Sequence, residues 1–170
     1  MAYKVLNNIG LIDTSTNALT SLKTGLLVIV VNKDTNKDSA FKDLNKVSKT
    51  YISKTIASHL KDSGSSILLP KIDGIEAENI MLVKGLDANA PMHKWISTYQ
   101  AIAKKANSIN AKDLSIMSGA ISPSGKDELW LIEMIAKTVE SNVYIFSETK
   151  NKTAKKPSVK KLTIVTSGLK

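Results

Sequence analysis

The chain has 170 residues, of which 42% are hydrophobic and none is cysteine, and its formal net charge is +9. That length fits one domain able to bury roughly 70% of the surface its unfolded chain exposes, while the apolar content excludes a disordered chain and the lack of cysteine excludes disulfides and thiolate chemistry. No apolar run nears the ~20 residues that span a bilayer, and MAYKVLNNIGLIDTST lacks a charged-then-apolar leader pattern, so the expected setting is the reducing cytoplasm, without a membrane partner.

In chain order, residues 3–9 (YKVLNNI) predict a short strand and 13–24 an irregular, Thr/Ser/Asn-rich connection. Residues 26–31 (LLVIVV) are apolar on both faces, the mark of a central strand covered by helices on either side. From Asp38 to Leu60, Phe41, Leu44, Val47, Tyr51, Ile52, Ile56 and Leu60 recur at helical spacing, with Asp38 or Ser39 as cap, a possible break at 48–50 and a stop at Asp62-Ser63-Gly64. His59 ends that stretch and reads as a surface or packing residue, having no histidine or cysteine near it in sequence.

Residues 66–69 (SILL) and 79–83 (NIMLV) predict two strands joined by a loop with Asp73-Gly74 at its turn. Asp73, Glu76 and Glu78 supply three carboxylates there; a polar loop is the favoured reading over a paired-acid or metal site, which needs the groups on a rigid base. Gly85 makes the exit turn, Asn89 is expected to cap the next helix with Pro91 in its first turn, and Met92, Trp95, Ile96, Tyr99, Ile102, Ala103 and Ala106 form its buried stripe. Trp95 and Tyr99 are assigned to packing, His93 to the opposite face. No Gly-rich phosphate fingerprint accompanies Gly85.

Residues 113–117 (DLSIM) predict a further strand, and Ser124 with Asp127 has the spacing of a capping box. Ile132, Ile135, Ala136, Val139, Val143 and Phe146 make the inner face of the last helix, leaving Trp130 and Met134 as a second apolar patch for a neighbouring domain or subunit. A lysine-rich connection and Pro157 then lead to a closing strand at 162–165.

All 24 basic residues are lysine. Seven of them, and no acid, fall from Lys150 onward, leaving +2 on the first 149 residues. Lysine lacks the planar fork that reads guanine or clamps phosphate bidentately. Lys150, Lys152, Lys155, Lys156, Lys160 and Lys161 are therefore read first as a solvated connection and second as a contact for a polyanion such as DNA. The whole succession implies one α/β domain, a mixed, mostly parallel sheet between helices on both faces.

The run LLVIVV, the long helical stretch, ENIMLVKGL and the closing VYIFSETK…KKPSVKKLTIVT resembles the N-terminal domain of the leucyl (cytosol) aminopeptidases over nearly the whole chain. The residues that carry the likeness most are 80–85 and 144–165; the chain departs from the family pattern in having Leu86-Asp87 where many relatives have a second glycine. The resemblance implies a macro-like three-layer fold and a non-catalytic domain that packs beside a C-terminal catalytic domain. That second domain would hold two divalent metal ions, zinc or manganese, and the full-length subunits would form a hexamer. Its motif Asn-Thr-Asp-Ala-Glu-Gly-Arg is not in these residues, so no catalytic residue, metal ligand or cofactor is expected here. A macro-like fold also raises ADP-ribose binding, disfavoured by the missing diphosphate loop.

Overall fold

The computed structural model describes the side chains of residues 19–62, 64–119, 121–143 and 158–166, and the backbone of 8–13. Six strands form one sheet: β1 (Asn8–Asp13), β2 (Leu26–Val31), β3 (Ser66–Pro70), β4 (Asn79–Lys84), β5 (Asp113–Met117) and β6 (Lys161–Thr166), in the order β1-β6-β5-β2-β4-β3. All neighbouring pairs are parallel except β3 with β4. Among the described residues four α-helices cover it: α1 (Ser39–Val47), α2 (Tyr51–His59), α3 (Met92–Ser108) and α4 (Glu128–Val143). This is the α/β, three-layer, mostly parallel arrangement the sequence predicts.

The six side chains of β2 alternate between two apolar layers, as a pleated strand requires. Leu26, Val28 and Val30 enter one layer with Trp95, Tyr99 and Ile102 of α3 and Leu131, Ile135 and Val139 of α4. Leu27, Ile29 and Val31 enter the other with Phe41 and Leu44 of α1 and Ile52 of α2. All six are buried, so the strand is central in fact as well as in pattern. Burial pushes the Tyr99 phenol well above its ordinary pKa, keeping it neutral in the core.

The predicted break in the 38–60 helix is real. Asp38 Oδ1 accepts from Ala40 N at 2.8 Å and Phe41 N at 3.3 Å, capping α1 as expected. Lys49 (φ 51°) and Thr50 (φ 64°) then adopt left-handed backbone, and Asn45 spans the corner by accepting from Thr50 N at its carbonyl and from Ser53 N at its side chain. The corner leaves Val47 and Tyr51 exposed, although both sit on the predicted apolar stripe.

Other boundaries moved for identifiable reasons. Over the described residues the first strand is Asn8–Asp13, running past the predicted end at residue 9, because pairing with β6 sets Ile9, Leu11 and Ile12 opposite Leu162, Ile164 and Val165; residues 3–7 of the predicted strand lie outside the described residues. Asn89 does not cap α3: Pro91 precedes the helix, and Asn89 N donates to Asp87 Oδ1 at 2.9 Å in a local turn. Asp127, not Ser124, holds the start of α4, its Oδ1 accepting from Trp130 N at 2.8 Å. Met134 is largely buried yet lines a shallow surface pocket together with half-buried Trp130 and with Ile96 of α3, while Leu129 and Met92 are further exposed apolar side chains of the same two helices. Phe146 lies outside the described residues.

A β-branched residue at positive φ is strained by about 1–2 kcal/mol, and asparagine tolerates that region better. Thr50→Asn is therefore expected to raise stability by ~0.5–1 kcal/mol in urea unfolding; a loss of stability would show that the corner is not strained.

Candidate functional site

The chain leaves β2 toward the α1/α2 face and leaves β4, its neighbour, toward the α3 face. Loops that part to opposite faces at the carboxyl ends of adjacent parallel strands open a crevice, the usual ligand position in open α/β sheets. Such a cleft is present, with a volume of about 370 Å³. Its walls are Val31 at the end of β2 with Asn32 and Lys33 after it, residues 84–88 at and after the end of β4, and Ile121 after β5.

Short-range bonds make these walls rigid. Asn32 Oδ1 accepts from Asp34 N at 2.9 Å and from Thr35 Oγ1 at 3.3 Å, while Asn32 N donates back to Thr35 Oγ1 at 2.8 Å. Gly85 N donates to Val31 O at 2.7 Å, and a methyl group on Gly85 would stand 2.9 Å from that same oxygen. This close backbone approach is why the position that carried much of the resemblance is glycine. Gly119, at φ +74°, has left-handed backbone, and a side chain there would meet the Asn32 side-chain amide. Ser124 N donates to Ala88 O at 2.7 Å, which ties the loop before α4 to the loop after β4. Ser118, at the same end of the sheet, is buried with its hydroxyl unpartnered among the described residues.

Those of the sequence-predicted site residues that the structure describes are elsewhere. Lys150, Lys152, Lys155 and Lys156 lie outside the described residues. Lys160 and Lys161 are exposed at the start of β6, at the opposite end of the parallel strands from the cleft. Their amides both donate to Lys112 O, at 2.8 and 3.3 Å, which brings a third exposed lysine beside them. His59 and His93 are exposed on α2 and α3, and His59 Nδ1 lies 2.6 Å from Ser58 Oγ. Asp73, Glu76 and Glu78 are exposed in their loop, with Glu76 N and Glu78 N donating to Thr20 O and Thr24 O. Among the described residues no three His, Cys, Asp or Glu are grouped so as to hold a metal ion. No helix of the described residues is long and apolar enough to cross a membrane.

Of the cleft, the sequence singled out only Gly85 and, next to it, Leu86-Asp87. Lys33, Lys84 and Ile121 come together through a strand order that local pattern does not encode; the residues just after LLVIVV and NIMLVK were the available signal.

A mixed, mostly parallel sheet between helices on both faces, with a crevice at the carboxyl ends of its strands, defines a three-layer α/β module. Residues 27–153 match the model of the cytosol aminopeptidase family, N-terminal domain, and the chain belongs to that family. It is 28% identical over 152 residues to a probable cytosol aminopeptidase of Pseudomonas fluorescens (strain SBW25), covering 86% of this chain and 30% of that relative. The chain thus spans about a third of the length of the relatives it matches. Among solved structures, a point mutant of tomato leucine aminopeptidase superposes with a TM-score of 0.71 at 21% identity, covering 99% of this chain and 34% of that one. A Trypanosoma brucei macrodomain in complex with ADP-ribose superposes with a TM-score of 0.65 at 12% identity, covering 98% and 67%. At those identities the superpositions show a shared fold.

Proposed function

We propose that this chain is the non-catalytic N-terminal domain of a leucyl-aminopeptidase-type exopeptidase, which removes N-terminal residues from peptides in the cytoplasm. The observation that carries this reading is the match of residues 27–153 to that domain of the family. Two divalent ions, zinc or manganese, would supply a Lewis acid and an activated water in a C-terminal domain beyond these residues. The described residues do not fit such a pair of ions: the three loop carboxylates are exposed, and the two histidines sit on different helices against opposite faces of the sheet.

The role of the domain is then assembly of the parent, as a hexamer, and control of access to its active sites. The outer face of α3 and α4 supports this. Ile96 of α3 and half-buried Trp130 of α4 line one shallow surface pocket, and Leu129, 56% exposed, and Met92 are further exposed apolar side chains of these two helices, surface that a contact with another domain or subunit would dry. The chain alone, assayed on leucine amides with manganese or zinc, is expected to show no metal-dependent hydrolysis. Robust hydrolysis that needs the metal would place the active site within these residues.

DNA binding through the segment 150–161 is the second reading, and the grouping of Lys112 with Lys160 and Lys161 favours it. None of the three has an ion-pair partner among the described residues. If they release phosphate counterions, changing all three to glutamine flattens the log–log salt dependence of duplex binding by about 0.9 for each phosphate no longer neutralised. An unchanged slope and affinity would remove these three from any interface.

A further inference from the structure

The cleft at the ends of β2 and β4 is lined by two cations, Lys33 and Lys84, one carboxylate, Asp87, and an apolar wall that includes Leu86 and Ile121. None of the three charged groups has an ion-pair partner among the described residues. Four backbone donors at the cleft and on its flanks are already taken. Gly85 N is taken by Val31 O, Ala90 N by Asp87 O, Asn89 N by Asp87 Oδ1 and Ser124 N by Ala88 O. What this cleft offers is side-chain charge of both signs beside apolar surface, on a base that those same bonds hold in place.

We propose that the cleft binds a small zwitterion with an apolar side chain, a free aliphatic amino acid. Lys33 and Lys84 take its carboxylate, Asp87 takes its ammonium group, and Leu86 and Ile121 pack against its side chain. Asn89 occupies only one carboxylate oxygen of Asp87, so Oδ2 is available to the ligand. The volume, about 370 Å³, lies within the roughly 300–1,000 Å³ common to small-ligand sites. Lys84 stands at the end of β4 and Lys33 just beyond β2, so two adjacent strands of the sheet place both cations. The site goes beyond the exopeptidase reading and stands if that reading fails, because binding is measured on this chain without any turnover.

The test is an amide-detected NMR titration of the 170-residue chain with L-leucine, leucinamide, N-acetylleucine, inorganic phosphate and ADP-ribose. Leucine is expected to saturate and to shift the signals of residues 84–88 and 121. Each half-charged analogue is expected to bind about tenfold more weakly, the scale of one charge-assisted contact. Lys33→Gln with Lys84→Gln weakens leucine and N-acetylleucine by about that factor but leaves leucinamide unchanged; Asp87→Asn weakens leucine and leucinamide but not N-acetylleucine. Should a variant unfold, as its melting curve would show, the map of leucine-induced shifts on the unaltered chain decides alone. No saturable leucine shifts, shifts mapping away from the cleft, or equal binding of leucine and leucinamide would overturn the proposal. Binding of phosphate or ADP-ribose in place of leucine would overturn it in favour of a phosphate-bearing ligand.

Discussion

Leu26–Val31 has no face toward water, and its position determines most of what surrounds it. Burying six aliphatic side chains contributes about 1.5–3 kcal/mol each, a gross sum comparable with or larger than the net stability of about 5–15 kcal/mol typical of a whole domain. Two-sided burial also creates a difficulty. In a half-exposed strand the alternation of apolar and polar residues fixes the register, but a strand apolar on both faces can slip by one residue without exposing a charge. Here polar bonds at the entry to β2 supply the missing specification. Thr24 Oγ1 lies 3.2 Å from Leu26 O and 3.1 Å from Asp113 O, and Ser115 Oγ donates to Thr24 Oγ1 at 3.0 Å. On the other side Asn79 Nδ2 donates to Gly25 O at 3.2 Å. These bonds pin β2 to β5 and to β4 at once, and a methyl group on Gly25 would stand a tight 3.2 Å from Ala111 and from Asp113 O.

The same strand sets the position of the cleft. Its exit toward α1, beside the exit of β4 toward α3, leaves a gap that neither loop fills. Asn32 closes one wall by holding its own turn, and the Gly85 amide closes the other by bonding back to Val31 O. The parent family's catalytic chemistry lies in another domain by our reading, whereas the crevice, its two lysines and its aspartate belong to this one. Structure and chemistry therefore separate within the chain: the lysines at the start of β6 crowd the amino ends of the strands, and the cleft sits at their carboxyl ends.

Much of this architecture is legible in local sequence. LLVIVV reads as a central strand because it is short, continuous and β-branched, and DLSIM matches β5 residue for residue. Asp38 is identified as a cap by its place before an apolar stripe. Edges were less legible. The first strand is chosen by what β6 offers it, so its limits depend on a partner about 150 residues away. The exposure of Met92, Ile96 and Tyr51 depends on where each helix ends and what lies beside it, which periodicity leaves open. The site was least legible of all, since Lys33, Lys84 and Ile121 share a cleft only through a strand order that places β4 and β5 on either side of β2.

The most direct test of the hub role is native-state hydrogen exchange along the sheet, followed at increasing sub-denaturing urea. If β2 is the hub, its amides and those of its partners in β4 and β5 exchange only through global unfolding, with the full denaturant dependence of that transition, whereas those of the edge strand β3 open earlier. Exchange of β2 amides through a smaller opening, at or below the free energy that releases β3, would contradict it.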